Sequence, residues 1–285
     1  MTTARPVPPL VLAFAASDPT AGAGVQADTL TLASLGCHPL SALTAVTVQD
    51  TVGVLSVHPV AADVLERQAR TLLADLRVAA FKIGVLGSVD NVVAVARIVA
   101  DHPAIPVVFD PVLASGRGDN LSGEAIMAAM HEFLLPRTTV LTPNAPEARR
   151  LAACRADEPG IDPCAQRLIA MGAQVVLITG THENTPEVIN TLYGRDGVLR
   201  RDCWERLPGS YHGSGCTLAS AIAACLAGGA SIDDAVRAAQ DYTWQTLASG
   251  FRPGRGQFIP DRFFRMRSEG DKLAPGQRGG HRDGR

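Results

Sequence analysis

Leu10-Val11-Leu12-Ala13-Phe14-Ala15-Ala16 is an unbroken apolar run. A strand with one wet face alternates apolar and polar residues. One that does not alternate is buried on both faces, as in a parallel sheet covered by helices. The run ends in the loop Ser17-Asp18-Pro19-Thr20-Ala21-Gly22-Ala23-Gly24, and a helix is predicted from Gly24 to Leu35, closed by Gly36. The alternation then repeats. Strands are predicted over 40–48, 52–60, 81–86, 107–109, 140–141 and 175–178, and helices over 61–76, 89–100, 124–134, 145–153 and 163–171. Residues 189–193 and 198–204 read as an antiparallel pair about Gly194-Arg195-Asp196-Gly197, and a last helix covers about 233–247. Such repeated strand–helix units define an α/β fold of three layers, a mostly parallel sheet with helices on both faces.

Polar residues gather where the predicted strands end: Asp18, Gln49, Asp110, Asn144 and Thr179. In open α/β sheets ligands bind beyond the carboxyl ends of the strands, so loops far apart in sequence converge on one cleft. Tyr211-His212-Gly213-Ser214-Gly215-Cys216 leads into the helix-forming run Thr217 to Ala227, which stops at Gly228-Gly229. Its glycines let the backbone approach a ligand, and the free N–H groups and dipole of the helix favour an anion there. Cys216 falls in the first turn, where that field lowers a thiol pKa. The competing reading is a glycine-rich loop that merely starts a buried, alanine-rich helix.

Composition excludes several classes. The chain has 285 residues, 46% of them hydrophobic and 19% charged, and a formal net charge of -2. There is no global basic field to hold nucleic acid, and no apolar run is long enough to span a bilayer. The six cysteines at 37, 154, 164, 203, 216 and 225 contain no C-x-x-C pair, so reduced thiols in a cytoplasmic protein are expected, not disulfides or zinc. Lys82 and Lys272 are the only lysines, which leaves backbone amides, arginines and metal to neutralise phosphates. Residues 1–9 read as a flexible N-terminus, 10–264 as the folded domain, and 265–285 as a disordered tail with six Lys/Arg against three Asp/Glu. Gly22-Ala23-Gly24 is a poor dinucleotide fingerprint, since Ala27 stands where a third glycine is needed, and no P-loop is present.

Taken in order, several stretches resemble the hydroxymethylpyrimidine/phosphomethylpyrimidine kinases of the ribokinase-like superfamily. They are Ala16-Ser17-Asp18 with Gly22 to Asp28, Thr44 to Thr51, Lys82 to Leu86, Asp110-Pro111-Val112, Leu141 to Asn144 with Glu147, and His212 to Thr217. The resemblance implies a three-layer ribokinase-like fold from about Leu10 to Phe264. It also implies ATP-dependent phosphorylation of 4-amino-5-hydroxymethyl-2-methylpyrimidine, then of its monophosphate, in thiamine biosynthesis. On that footing Gln49 reads the aminopyrimidine edge, since an amide donates and accepts at once; Ala16, Asp18, Val85, Val112 and His212 line the substrate pocket. Asn144, Thr179 and Gly180 meet ATP. Asp110 and Glu147, with Asn144, hold Mg²⁺ mostly through water, although Glu147 could instead complement the dipole of its own helix. Gly213, Ser214, Gly215 and Cys216 place amides on the transferring phosphate, with Cys216 as thiolate base or only as a wall of the pocket. A homodimer and a small-molecule substrate follow from the resemblance too.

The sequence departs from the family pattern at Ala16, Val85 and Thr179, where many members carry glycine, methionine and lysine. The missing lysine leaves Arg195 or backbone groups to compensate at the nucleotide. It also keeps a pyridoxal kinase in view as an alternative, alongside a non-catalytic protein that binds thiamine precursors.

Overall fold

A computed structural model describes residues 6–113, 122–154 and 160–267. Nine strands form one sheet: β1 (Leu10–Ser17), β2 (His38–Gln49), β3 (Val54–Pro59), β4 (Val78–Ile83), β5 (Val107–Phe109), β6 (Val140–Leu141), β7 (Val175–Ile178), β8 (Glu187–Gly194) and β9 (Gly197–Glu205). Their order is β3-β2-β1-β4-β5-β6-β7-β8-β9. β2, β1, β4, β5, β6 and β7 run parallel, while β3 pairs antiparallel with β2 at one edge and β8 and β9 add antiparallel strands at the other. The expected α/β architecture is present.

The helices are α1 (Gly24–Ser34), α2 (Ala62–Asp75), α3 (Val89–Ala100), α4 (Glu124–Ala129), α5 (Ala145–Leu151), α6 (Asp162–Ala170), α7 (Ser214–Ala227) and α8 (Ile232–Ala248). Side chains alternate across a strand, and the core divides accordingly. Leu10, Leu12 and Phe14 of β1, Phe81 and Ile83 of β4 and Phe109 of β5 pack on the face covered by α2 to α6. Val11, Ala80 and Val108 pack on the face covered by α1, α7 and α8. Lys82 lies between Phe81 and Ile83, so the same period aims it at α1 and α7.

Three expectations are corrected in detail. β4 spans Val78–Ile83, not 81–86; the last ladder bond to β1 runs from Gly84 N to Phe14 O (2.8 Å), and the chain turns away after it. The helix predicted over 124–134 is α-helical only to Ala129; Met130–Leu134 widen into a π turn and Leu135–Arg137 tighten to a 3₁₀ turn. Pro136 is the physical reason, since its nitrogen has no hydrogen to donate back along the helix. Cys154 and Cys164 are joined in a disulfide between the end of α5 and the start of α6, where free thiols were expected; Cys37, Cys203, Cys216 and Cys225 are free. The two cysteines are ten residues apart in sequence, and α5 and α6 pack so that their Cα atoms stand 6.1 Å apart. No described helix is long and apolar enough to cross a membrane.

The packed chain continues past Phe264. Arg265 lies 5.9 Å from the Tyr242 ring centroid, and Arg267 pairs with Asp261 at 3.1 Å. At the other end, Pro9 O accepts from His38 N. Residues 1–5 and 268–285, the rest of the expected flexible terminus and tail, lie outside the described residues.

Candidate active site

α7 begins where the sequence reading placed an anion hole. Gly213 caps it in the left-handed region (φ 80°, ψ 17°), and a β-carbon there would overlap the carbonyl of Gly22. Only glycine fits, on both counts. The turn before α7 is thus seated directly on the loop before α1. No side chain caps α7, and among the described residues the N–H groups of Ser214, Gly215 and Cys216 have no partner; Thr217 N already bonds Gly213 O (2.9 Å). Three open amides at one helix end form a charge-complementary seat for an anion.

Asp18 welds the two loops together. Its carboxylate accepts from Thr20 N (2.8 Å), Thr20 Oγ1 (2.8 Å) and Ala23 N (2.7 Å), and lies 2.8 Å from His212 Nε2. Burial alone would raise this carboxyl, but the bonds from His212, Ala23 and Thr20 hold it below its ordinary value. Asp18 therefore fixes the pocket's loop, and its oxygens are already committed. His212 is anchored from behind, its N–H bonded to Phe258 O (2.8 Å).

Successive strand ends carry the other expected residues. Buried Ala16 is in β1; Val85 follows β4 and Val112 follows β5, both half-buried. Asp110 follows β5 directly, and its carboxylate faces the head of α7, 3.6 Å from where a β-carbon on Gly215 would stand. One of its oxygens, Oδ2, is buried without a hydrogen-bond partner. Burial pushes Asp110 up to about 6, opposed by Lys82 and by a hydrogen bond from Cys216. Asn144 and Glu147 form a capping box at α5: Asn144 Oδ1 accepts from Glu147 N (2.9 Å) and Glu147 Oε2 from Asn144 N (3.0 Å). Glu147 Oε1 accepts from Leu113 N (3.2 Å), so each of its oxygens meets a main-chain N–H. Burial, with Asp110 nearby, pushes Glu147 up to about 8. Two buried carboxylates with raised pKa values, one with an orphaned oxygen, suit a hard divalent cation that keeps several waters. Among the described residues no three His, Cys, Asp or Glu side chains form a closed metal cage. The donor chemistry of Asp110 and Glu147 is of the kind Mg²⁺ takes.

These shifts carry a pH signature. Both carboxyls are raised above their ordinary values, so between about pH 4 and 8 the folded state binds more protons than the unfolded one. Stability is then fully present at low pH and lost as pH rises through 8. Glu147→Gln keeps the capping box but cannot ionise. We expect the wild type to lose more stability than this variant between pH 5 and 8 in denaturant titrations, and Mg²⁺ to restore more of it at pH 8 than at pH 5. Parallel pH profiles for the two proteins would contradict the assignment.

Cys216 requires a correction. It keeps some exposure at the head of α7, yet burial of the sulfur, with Asp110 and Asp28 nearby, pushes the thiol up to about 12; Lys82 and a bond from Gly24 N–H only partly oppose this. At neutral pH it is a thiol hydrogen-bonded to Asp110, not a resting thiolate. Burial of the sulfur, with the two carboxylates adding to it, outweighs the helix field. Beneath it Lys82, fully buried, meets Asp28 of α1 at 2.8 and 3.0 Å, and Ser220 of α7 donates to Asp28 Oδ1 (2.7 Å). Burial disfavours the ammonium charge, but Asp28, with Cys216 and Asp110 beyond, more than offsets it and raises the pKa. In the sequence Lys82 stood out for its rarity and as part of the Lys82–Leu86 stretch, with no role assigned to it.

Thr179 and Gly180 follow β7 beside Asn144. Thr179 N bonds Pro143 O (3.0 Å), and Gly180 N bonds Asn190 Oδ1 (3.1 Å). Arg195 is not with them. β8 runs antiparallel to β7 with Ile178 opposite Thr191, so the turn holding Arg195 lies at the far end of the sheet and cannot replace a lysine at Thr179. Gln49 ends β2, which outreaches β1: Ser17 is opposite Val46, three residues earlier. Its half-buried side chain has no hydrogen-bond partner among the described residues. The 550 Å³ hollow lined by Ser41, Val64, Arg67, Gln68, Thr71 and Leu72 is remote from this chemistry, on the α2 side of the sheet.

Open amides, paired carboxylates and a buried cation at the strand ends define a phosphate-handling α/β enzyme site. A family model described as phosphomethylpyrimidine kinase matches residues 18–261. A hydroxymethylpyrimidine/phosphomethylpyrimidine kinase of Streptomyces coelicolor is 39% identical over 263 residues, covering 90% of this chain and 96% of the relative. One of Mycobacterium tuberculosis is 40% identical over 274 residues, covering 91% and 95%. Among solved structures, the pyridoxal kinase of Staphylococcus aureus in complex with ADP superposes with a TM-score of 0.84 at 30% identity, covering 92% of this chain and 96% of that one. The phosphomethylpyrimidine kinase of Clostridium difficile 630 does so at 0.73 and 27%, covering 84% and 99%. The fold is ribokinase-like and the protein a kinase. The chain belongs to the phosphomethylpyrimidine kinase family.

Proposed function

We propose that the protein transfers the γ-phosphoryl group of ATP to the hydroxymethyl oxygen of 4-amino-5-hydroxymethyl-2-methylpyrimidine, and then a second one to the resulting monophosphate, in thiamine biosynthesis. The observation that carries the reading is the seating of Gly213 on Gly22, which leaves the Ser214, Gly215 and Cys216 amides open beside Asp110. Phosphoryl transfer needs little covalent help; aimed amides stabilise the charge on the moving group. Mg²⁺, held by Asp110 and Glu147, would neutralise phosphate charge. Asn144, Thr179 and Gly180 line the nucleotide side. Gln49, at the overhanging end of β2, reads the aminopyrimidine edge, with Ala16, Val85, Val112 and His212 around it. Cys216, once ionised, accepts the hydroxyl proton, its thiolate favoured by Lys82 and the α7 amides.

The same overhang exposes Val46, Val48 and Leu55, at 45%, 46% and 82%. An apolar face of this kind is suited to a second copy of the chain, and sedimentation at the monomer mass would remove the homodimer from the reading.

The pyridoxal kinase superposition keeps a second acceptor in view. Mass analysis after incubation with Mg-ATP and each acceptor separates the two. Two phosphates on the pyrimidine are expected; a single phosphate on pyridoxal alone would replace the reading, and tight pyrimidine binding without product would make the protein a sensor. In the same assay Gln49→Ala should raise the KM for the pyrimidine about tenfold or more, as expected when a buried polar contact is lost. An unchanged KM moves Gln49 out of the pocket.

A further inference from the structure

Arg262 is 3% exposed, and its guanidinium makes no ion pair among the described residues. Its bonds all go to neutral oxygens: Nη2 to Gly22 O (2.6 Å), Nη1 to Ala21 O (3.3 Å) and Nε to Thr217 Oγ1 (3.1 Å). Thr217 Oγ1 in turn donates to Gly213 O (2.8 Å). One planar fork therefore holds both halves of the contact that shapes the α7 head, the Ala21–Gly22 loop below and the Gly213 turn above. Its own backbone is fixed from α8, where Tyr242 Oη donates to Arg262 O (3.0 Å), and the neighbouring Asp261 N bonds Thr246 O (2.9 Å).

Burying a guanidinium without a carboxylate is costly, and arginine cannot escape by losing its proton. Burial lowers its pKa, opposed by Cys216, Tyr242, Asp28 and Asp18. A neutral side chain could have closed the loop more cheaply. The cation is retained where a ligand anion would arrive.

We propose that Arg262 is a positioning residue for phosphoryl transfer, locking the Ala21–Gly22 loop onto the first turn of α7 so that the Ser214–Cys216 amides converge on the moving phosphate. The inference rests on the phosphoryl-transfer reading above. It assigns a role to the C-terminal segment, which carries none of the motifs that mark the site in the sequence. Arginine's geometry matters as well as its charge, because lysine cannot reach Gly22, Ala21 and Thr217 together.

The test is steady-state kinetics of Arg262→Gln, Arg262→Lys and Thr217→Val, each checked for folding by thermal denaturation. Displacing reacting groups by about 1 Å costs roughly 10²-fold. Arg262→Gln should lose about that much kcat with the acceptor KM within about threefold of wild type. Arg262→Lys should recover part of it, and Thr217→Val, which removes the hydroxyl that links Arg262 Nε to Gly213 O but leaves the bonds of Arg262 to Ala21 and Gly22, should lose about tenfold. Should Arg262→Gln fail to fold, Thr217→Val and Arg262→Lys decide. A kcat within twofold of wild type in the folded variants overturns the inference, as does a loss confined to KM. If the wild type phosphorylates pyridoxal and not the pyrimidine, the ratios are read on pyridoxal and only the substrate assignment fails. No turnover of either acceptor by the wild type overturns both.

Discussion

Cys216→Ala should lower kcat by about 10²- to 10⁴-fold, the range for removing a positioned proton acceptor. The KM for ATP should stay within a few-fold, because the amides of Ser214 and Gly215 and the glycine turn remain. The sulfur is the side chain that lies between the open helix end and Asp110, and it hydrogen-bonds that carboxylate. With the thiol pushed up to about 12, the acceptor is not a free thiolate waiting at rest. It is a thiol that must lose its own proton before it can take the hydroxyl's. Near-wild-type kcat in the alanine variant, measured with ATP and acceptor saturating, would reduce Cys216 to a wall of the pocket and leave the phosphate to take the proton itself.

Lys82→Met should be the most destabilising single change near the site. Lys82 and Asp28 are both fully buried, and removing one partner of a buried pair leaves the other's charge uncompensated, a loss of about 3–5 kcal/mol. Ser220 would go on donating to Asp28, but a single hydroxyl cannot replace an ammonium. Replacing both charges, as in Lys82→Met with Asp28→Leu, should recover part of the loss, since apolar pairs of similar volume often substitute well for buried ion pairs. Denaturant titration reads both. A loss below about 1 kcal/mol for Lys82→Met, or a double variant less stable than the single one, contradicts this account of the pair.

Much of the architecture was legible because it rests on local pattern. The unbroken run Leu10 to Ala16 has no wet face, and that alone implied helices on both sides of a parallel sheet. Asp110, Asn144 and Thr179 stand at strand ends, and an α/β topology must bring strand ends together. Gly213 was legible for a different reason, since a glycine-punctuated turn before a strong helix former marks a close backbone approach.

Other features depend on partners far apart in sequence, where pattern gives no signal. Lys82 and Asp28 are separated by 54 residues and Ser220 and Asp28 by 192. Arg262 reaches 240 residues back to Gly22. His212 and Asp18 were each read as facing a ligand, yet they also face each other. Glu147 was read as a metal ligand or a dipole partner, and its capping box with Asn144 was not foreseen, although an Asn followed three residues later by Glu before a helix is a recognisable signal. Arg195 failed because its turn follows Thr179 closely only in order along the chain; the antiparallel return of β8 carries it to the opposite end of the strands. The thiol of Cys216 was judged by the helix dipole alone; burial of the sulfur, with two carboxylates contributed from other elements, reverses the sign.

The claim on which the rest depends is that main-chain amides at the head of α7 hold the phosphoryl group in transit. A crystal structure of the protein with Mg²⁺, a non-hydrolysable ATP analogue and the pyrimidine alcohol tests it most directly. The account predicts γ-phosphate oxygens within hydrogen-bonding distance of the N–H groups of Ser214, Gly215 and Cys216, with the acceptor hydroxyl between that phosphate and the Cys216 sulfur. A γ-phosphate seated away from Gly215, with those amides turned to solvent, would contradict it.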